Sequence, residues 1–357
     1  MIASGIFRQY DIRGIYGKDL TVEAAEAIGR AYPLIMAERG VQGAVAVGRD
    51  NRPSGRALRD ALVKGLTAGG VDVIDVGEVP TPLLYWSLHH LPVAAGIQIT
   101  GSHNPPEYNG FKCCIGTGSL HGEGITRLRD LITAGAFPTG QGTVRHEAIV
   151  DRYVTDIVER IGPLPRDLKV VIDCGNGAGA IVAPQLFRAL GVQATMLFAE
   201  SDGTFPNHHP DPTVEANLQD LIAAVRQTGS QLGIGFDGDA DRIGLVDQDG
   251  TIVWGDYLLL LYARDVLARM LRNLKEIHAR QRDPLRLVAV LDRLVVLLPD
   301  HWGERRDRGM AWASAGDAER AVADLQAYLD HAADASDAPV VAERLASLKR
   351  ELSGRGA

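Results

Sequence analysis

The sequence predicts two α/β domains with mixed, largely parallel sheets, followed by an all-α helical-repeat tail. Three observations carry that expectation. Apolar runs bounded by glycine alternate with amphipathic helical patterns through residue 254, the rhythm of layered strand–helix–strand units. Glycine then becomes scarce: residues 1–269 hold 35 of the 40 glycines and all of the net charge. Finally, two later segments align without a gap at a spacing of 34 residues.

The buried strands are expected at Ala44–Val47, Val71–Val76, Gly96–Thr100, Leu168–Asp173, Ala194–Phe198 and Leu232–Phe236. Between them, Thr21–Arg39 reads as a helix, with Thr21 as its cap and Ala24, Ala27, Ile28 and Ala31 on its apolar face. Gly55–Gly69 and Asn217–Thr228 read as two more. The glycine-rich segment Thr139–Arg145 is the expected break, placing one domain at residues 1–145 and the next at 146–254.

The tail is expected over residues 270–352. Counted from Asp283 and Asp317, Leu287, Val288, Leu291, Leu294, Val295 and Leu298 pair with Ala321, Val322, Leu325, Tyr328, Leu329 and Ala332. Each set lies on one helical face, and 34 residues is the tetratricopeptide period.

Composition removes several classes. A net charge of −8 argues against a nucleic-acid surface, and no run approaches 18 apolar residues, so no membrane span is expected. The charged N-terminus does not read as a signal peptide. Cys113 and Cys114 are adjacent and Cys174 stands alone, which is neither a disulfide framework nor zinc-ligand spacing. A cytoplasmic protein with reduced thiols is the expectation.

Three loops carry chemistry. The strand ending at Thr100 runs into Gly101-Ser102-His103-Asn104-Pro105-Pro106 and on to Lys112. Glycine beside the serine admits a phosphate or a backbone, while His103 and Lys112 are placed to move a proton or neutralise charge. Strand Leu232–Phe236 ends in Asp237-Gly238-Asp239-Ala240-Asp241-Arg242. Side chains at i, i+2 and i+4 share a face in an extended segment, so three carboxylates converge on a hard divalent cation. An EF-hand would need glycine and glutamate where Arg242 and Gln248 stand. The third loop, Asp173 to Ala180, satisfies G-x-G-x-x-A from Gly175, with Glu200 beyond the next strand. A turn packing strand against helix is the preferred reading of it.

With these loops in hand, the chain resembles the α-D-phosphohexomutase superfamily, most closely the bacterial phosphomannomutase/phosphoglucomutase group. The likeness runs from Phe7 to about Ala268. It includes Tyr10-Asp11-Ile12-Arg13-Gly14, Gly48-Arg49-Asp50-Asn51-Arg52-Pro53-Ser54-Gly55, both chemical loops, the glycine turn and Phe205-Pro206-Asn207-His208-His209-Pro210-Asp211-Pro212. The resemblance implies intramolecular phosphotransfer between the 1- and 6-positions of mannose or glucose phosphate. Ser102 would carry the phosphoryl group, and Asp237, Asp239 and Asp241 would hold Mg²⁺ against it. His103, Lys112 and Arg242 would act at the reacting group, and Tyr10 and Arg13 would line the phosphate site. A sugar 1,6-bisphosphate is implied as the activator that loads the serine.

The likeness is partial. Such proteins have four domains, the third with a G-E-x-S-G-H-like sugar loop and the fourth with an Arg-Ser-Asn/Thr phosphate clamp. Neither pattern follows Trp254; residues 255–269 match only the start of a third domain. The tail, Leu271 to Leu348, resembles the helical-repeat end found behind transglutaminase-like domains in some bacterial proteins. It makes a protein partner a possible occupant. Two other classes stay open: a non-catalytic scaffold acting through the repeats, and a nucleotide-dependent oxidoreductase using the Gly175 turn.

Overall fold

The computed structural model describes residues 2–165 and 167–354. The chain divides into two compact units, one through residue 255 and one from residue 256.

The first unit is built on two sheets. In chain order its first half contains β1 (Ile12–Ile15), α1 (Val22–Glu38), β2 (Ala44–Arg49), α2 (Gly55–Ala68), β3 (Val73–Glu78), α3 (Thr81–His90) and β4 (Val93–Ile99). Then come β5 (Tyr108–Ile115), β6 (Gly118–Ser119), α4 (Glu123–Ala134) and β7 (Val144–His146). The strand order is β1-β5-β4-β2-β3-β7, with β6 paired to β5. Strands β4, β2, β3 and β7 run parallel, and β5 and β1 add antiparallel edges. Strands β2, β3 and β4 are largely apolar because helices cover both faces, whereas the short edge strand β7 is exposed. Thr21 caps α1, its hydroxyl accepting from the Ala24 amide at 3.3 Å, a contact worth about 1 kcal/mol. Helices α1 and α2 touch backbone to backbone: a Cβ on Gly29 would lie 2.3 Å from the Leu62 carbonyl oxygen. Only glycine allows that approach.

The second sheet follows. Its elements are α5 (Val150–Ile161), β8 (Lys169–Asp173), α6 (Ala183–Ala189), β9 (Gln193–Leu197), α7 (Gln219–Thr228), β10 (Leu232–Phe236), β11 (Ile243–Asp247) and β12 (Ile252–Val253). The order is β12-β11-β10-β8-β9, with β8, β9 and β10 parallel. Both sheets are therefore mixed and largely parallel, as the alternation predicts.

The glycine-rich segment at the expected break is itself structured. β7 begins at Val144, inside the expected break, and pairs with β3 through His146. Gly140 and Gly142 lie directly against Gly70 and Val71, so this stretch continues the first sheet. Its glycines serve close packing rather than separation.

The second unit is helical: α8 (Gly255–Gln281), α9 (Pro284–Leu297), α10 (Trp302–Ala315), α11 (Ala318–His331) and α12 (Ala338–Gly354). The change in composition at residue 269 falls inside α8, which crosses it without a break. The 34-residue repeat is reproduced in detail. Asp283 accepts from the Arg286 amide at 3.1 Å and Asp317 from the Arg320 amide at 3.0 Å. Each aspartate also lies 3.5 Å from the side chain of that same arginine. Val288, Leu291, Leu294 and Val295 are buried on α9, as are Ala321, Leu325 and Tyr328 on α11. Among the described residues, no helix is long and apolar enough to cross a membrane.

Candidate functional site

The C-terminal ends of the parallel strands gather the chemistry, as open α/β sheets generally do. Ser102 follows β4 and is fully buried, with a left-handed φ of 49°. Asn176 after β8, Phe205 in the loop beyond β9 and Ala240 after β10 share positive φ values. Non-glycine residues held this way cost energy and are kept only where surrounding contacts impose them.

Loops from the two sheets meet at the serine. Its Oγ donates to Asp237 Oδ2 at 3.0 Å and lies 3.3 Å from His103 Nδ1. Asp237 Oδ1 accepts the backbone amides of Asp241 and Arg242 at 3.0 and 3.1 Å, which folds the acidic loop back on itself. Asp237, Asp239 and Asp241 each offer a carboxylate oxygen within 4.8 Å of the others. Lys112, projecting from β5, reaches Asp239 at 2.6 Å and Asp241 at 2.5 Å.

The electrostatics follow from this crowding. Burial, and then the Asp239 and Asp241 charges, push the Asp237 carboxyl well above the usual carboxylate range. Burial acts on Asp239 in the same direction. Lys112 outweighs it through charge and hydrogen bond, helped by the Thr81 hydroxyl, and holds Asp239 below that range. Lys112 itself is raised: burial works against its charge, but the two aspartates more than compensate. Burial, with the nearby Arg242 charge, lowers His103 and favours its neutral imidazole.

The three carboxylates fit a hard divalent cation. Asp239 Oδ1 is buried with no hydrogen-bond partner, and such an oxygen is costly unless something binds it. The donor set is all oxygen, the preference of Mg²⁺ and Ca²⁺.

Most of the expected residues come together here, and Tyr10 does not. Arg13 is buried and donates to the Gly101 carbonyl and to Asp11. Arg242 has an exposed side chain that acts on His103 through its charge. Tyr10 is 76% exposed, and no hydrogen bond among the described residues ties it to the serine or the carboxylates. Two contributions were not foreseen. Thr81, at the start of α3, donates its hydroxyl to Asp239 Oδ2 and its amide to the Asp239 carbonyl at 3.0 Å. Asp50 and Arg52 underlie the serine loop; their i, i+2 spacing after β2 was the available signal.

The Gly175 turn packs against the acidic loop. The Ala178 amide donates to the Gly238 carbonyl at 2.9 Å, and a Cβ on Gly177 would lie 2.8 Å from that oxygen. The glycines thus seat loop on loop. The three thiols are buried, and burial pushes Cys114 up to about 11 and Cys174 up to about 12, away from reactivity.

Comparison with known proteins agrees with this arrangement. Residues 4–138 match "Phosphoglucomutase/phosphomannomutase, alpha/beta/alpha domain I", residues 151–250 match domain II, and residues 274–346 match the tetratricopeptide repeat. A phosphomannomutase/phosphoglucomutase of Pseudomonas putida is 50% identical over 270 residues, 75% of this chain and 58% of that protein. A phosphoglucomutase of Neisseria meningitidis is 47% identical over the same shares. The crystal structure of a phosphoglucomutase/phosphomannomutase family protein from Burkholderia thailandensis superposes with a TM-score of 0.72 at 45% identity. That match covers 75% of this chain and 60% of the other. The chain thus spans somewhat more than half the length of these relatives. Over residues 4–250, in two consecutive α/β domains followed by a tetratricopeptide-type helical unit, the chain belongs to the phosphoglucomutase/phosphomannomutase family.

Proposed function

We propose that Ser102 is a phosphoryl carrier, loaded by a hexose 1,6-bisphosphate and discharged onto a hexose monophosphate. The supporting observation is the meeting of Ser102 Oγ with Asp237 at 3.0 Å and His103 at 3.3 Å, beside Lys112 and the carboxylate cluster. Phosphoryl transfer asks a protein mainly for positioning and for positive charge around the moving group.

In loading, Ser102 Oγ forms a bond to phosphorus as the bond from phosphorus to the sugar oxygen breaks. For this the serine hydroxyl turns from Asp237 to neutral His103, 3.3 Å away, which takes its proton and passes it to the departing sugar oxygen. Discharge reverses each step onto the other hydroxyl of the sugar. Lys112 and Arg242 supply local positive charge. Asp237, Asp239 and Asp241 would hold Mg²⁺, which when bound neutralises charge developing on the phosphoryl oxygens. The relatives named for mannose and glucose phosphates point to those hexoses as substrates.

The test is mass spectrometry of the protein after exposure to glucose 1,6-bisphosphate and Mg²⁺. One phosphoryl group mapped to Ser102, and none in Ser102→Ala, is expected. An unmodified chain after prolonged exposure would overturn the assignment.

A further inference from the structure

We propose that Arg52 is the positioning residue of the serine loop, its guanidinium gripping the backbone from Ser102 to Tyr108 and aiming the hydroxyl. This rests on the reading of Ser102 as the phosphoryl acceptor.

The Arg52 side chain is fully buried, an expensive location for a fixed charge. Its Nε donates to Asp50 Oδ2 at 3.1 Å. Nη1 donates to the carbonyls of Pro105 and of Tyr108, the latter at 3.0 Å. Nη2 donates to the carbonyls of Ser102 at 2.7 Å and Asn104 at 2.6 Å. A guanidinium has five N–H donors, and all five are engaged within the protein. None remains for a substrate, so Arg52 acts through the loop and not on the sugar.

Its surroundings are shaped around that role. Asp50 accepts the Arg52 amide at 3.1 Å and the Gly101 amide at 3.0 Å, tying both sides of the clamp to one carboxylate. A Cβ on Gly101 would lie 2.3 Å from Arg52 Cζ, so the guanidinium passes where only glycine leaves room. The Phe205 ring lies 5.1 Å from Cζ, and a Cβ on Gly203 would lie 2.6 Å from Arg52 Cα. The loop beyond β9 thus closes over the arginine. Ser102 sits at a φ of 49°, costly for a serine, while Arg52 holds its carbonyl. Lysine, with three donors on one nitrogen, cannot span the same acceptors.

The experiment uses the full chain with R52K, R52A and D50N. Two quantities are read: Ser102 phosphorylation by glucose 1,6-bisphosphate, and amide hydrogen exchange. R52K is expected to phosphorylate about a hundredfold more slowly, the usual consequence of displacing a reacting group by about an ångström. The half-saturating bisphosphate concentration should stay within about threefold, since Arg52 does not touch sugar. Exchange should rise by about tenfold or more over residues 101–110 and stay unchanged in the second sheet. Added guanidinium should restore part of the R52A rate, which a general loss of packing would not permit. D50N should give an intermediate loss, and with R52K it serves if R52A fails to fold. Phosphorylation of R52K at the unmodified rate overturns the proposal, as does increased exchange spread evenly over the first unit. If the unmodified chain takes no phosphoryl group, the reading of Ser102 fails, and the exchange pattern still decides whether Arg52 is the clamp.

Discussion

Ser102 Oγ and Asp237 Oδ2 lie 3.0 Å apart although 135 residues of chain separate them. That contact joins a loop of the first sheet to a loop of the second, so the site exists only when both domains are folded and docked. Each side supplies what the other lacks: the first brings the hydroxyl and Lys112, the second the carboxylates.

The first prediction concerns the cation. The orphaned Asp239 Oδ1 and the mutual repulsion of three carboxylates both favour a bound ion. Asp239→Ala should weaken Mg²⁺ binding at least tenfold in titration calorimetry, about 1.4 kcal/mol or more. Unchanged affinity would remove Asp239 from the ligand set.

Lys112 substitutes for part of that positive charge when no ion is bound. It pairs with the fully buried Asp239 and with Asp241. Lys112→Met should therefore cost about 2 kcal/mol or more without Mg²⁺, because it strands a buried carboxylate. Saturating Mg²⁺ should recover much of the loss in urea unfolding. Equal losses with and without the ion would contradict the exchange of roles.

The sequence made most of the parallel strands readable, β9 at a sheet edge included, and left the antiparallel ones obscure. β2, β4, β8 and β10 are continuous apolar runs because both faces are buried, so local composition is enough. β5 falls where the sequence shows only the serine loop running on to Lys112. Its strand character comes from pairing with β1 and β4, which no local window contains. The same limit hid Arg52. Its motif was visible, but its acceptors are backbone carbonyls some 50 residues away. The acidic loop was legible because its three carboxylates are close in sequence, and the repeat was legible because periodicity needs no partner.

The repeat makes a paired prediction. Asp283 and Asp317 cap α9 and α11 with the same geometry. Asp283→Ala and Asp317→Ala should each lower stability by about 1 kcal/mol, read by denaturation of the helical signal. A large effect at one cap and none at the other would show that the two copies are not equivalent.

His208 gives a pH signature. Its ring lies 3.0 Å from Asp173, whose hydrogen bond raises the imidazole pKa although burial opposes it. A raised folded value stabilises the protonated, folded form. The contribution is full below the unfolded value of about 6.5 and fades as pH rises through the folded value. His208→Asn should lower Tm more at pH 6 than at pH 8. The reverse order would contradict the pairing.

Turnover should lag far behind loading. A mutase grips the phosphate that is not being transferred, and that remote contact orients the reacting hydroxyl. Lys112 serves the reacting centre, and Arg13 is committed to Gly101 and Asp11. Interconversion of glucose 1- and 6-phosphates should run roughly three decades below an ordinary enzyme rate of about 10 s⁻¹. A rate near 10 s⁻¹ in a coupled assay would show that another group supplies the grip.

Transfer itself is the central claim, and a single-turnover experiment reads it directly. The protein is loaded with labelled phosphate on Ser102, freed of excess bisphosphate and mixed with glucose 1-phosphate and Mg²⁺. The account predicts loss of label from Ser102 with its stoichiometric appearance in glucose 1,6-bisphosphate, and no loss when the sugar is omitted. Label that stays on the serine, or leaves only as inorganic phosphate, would contradict it.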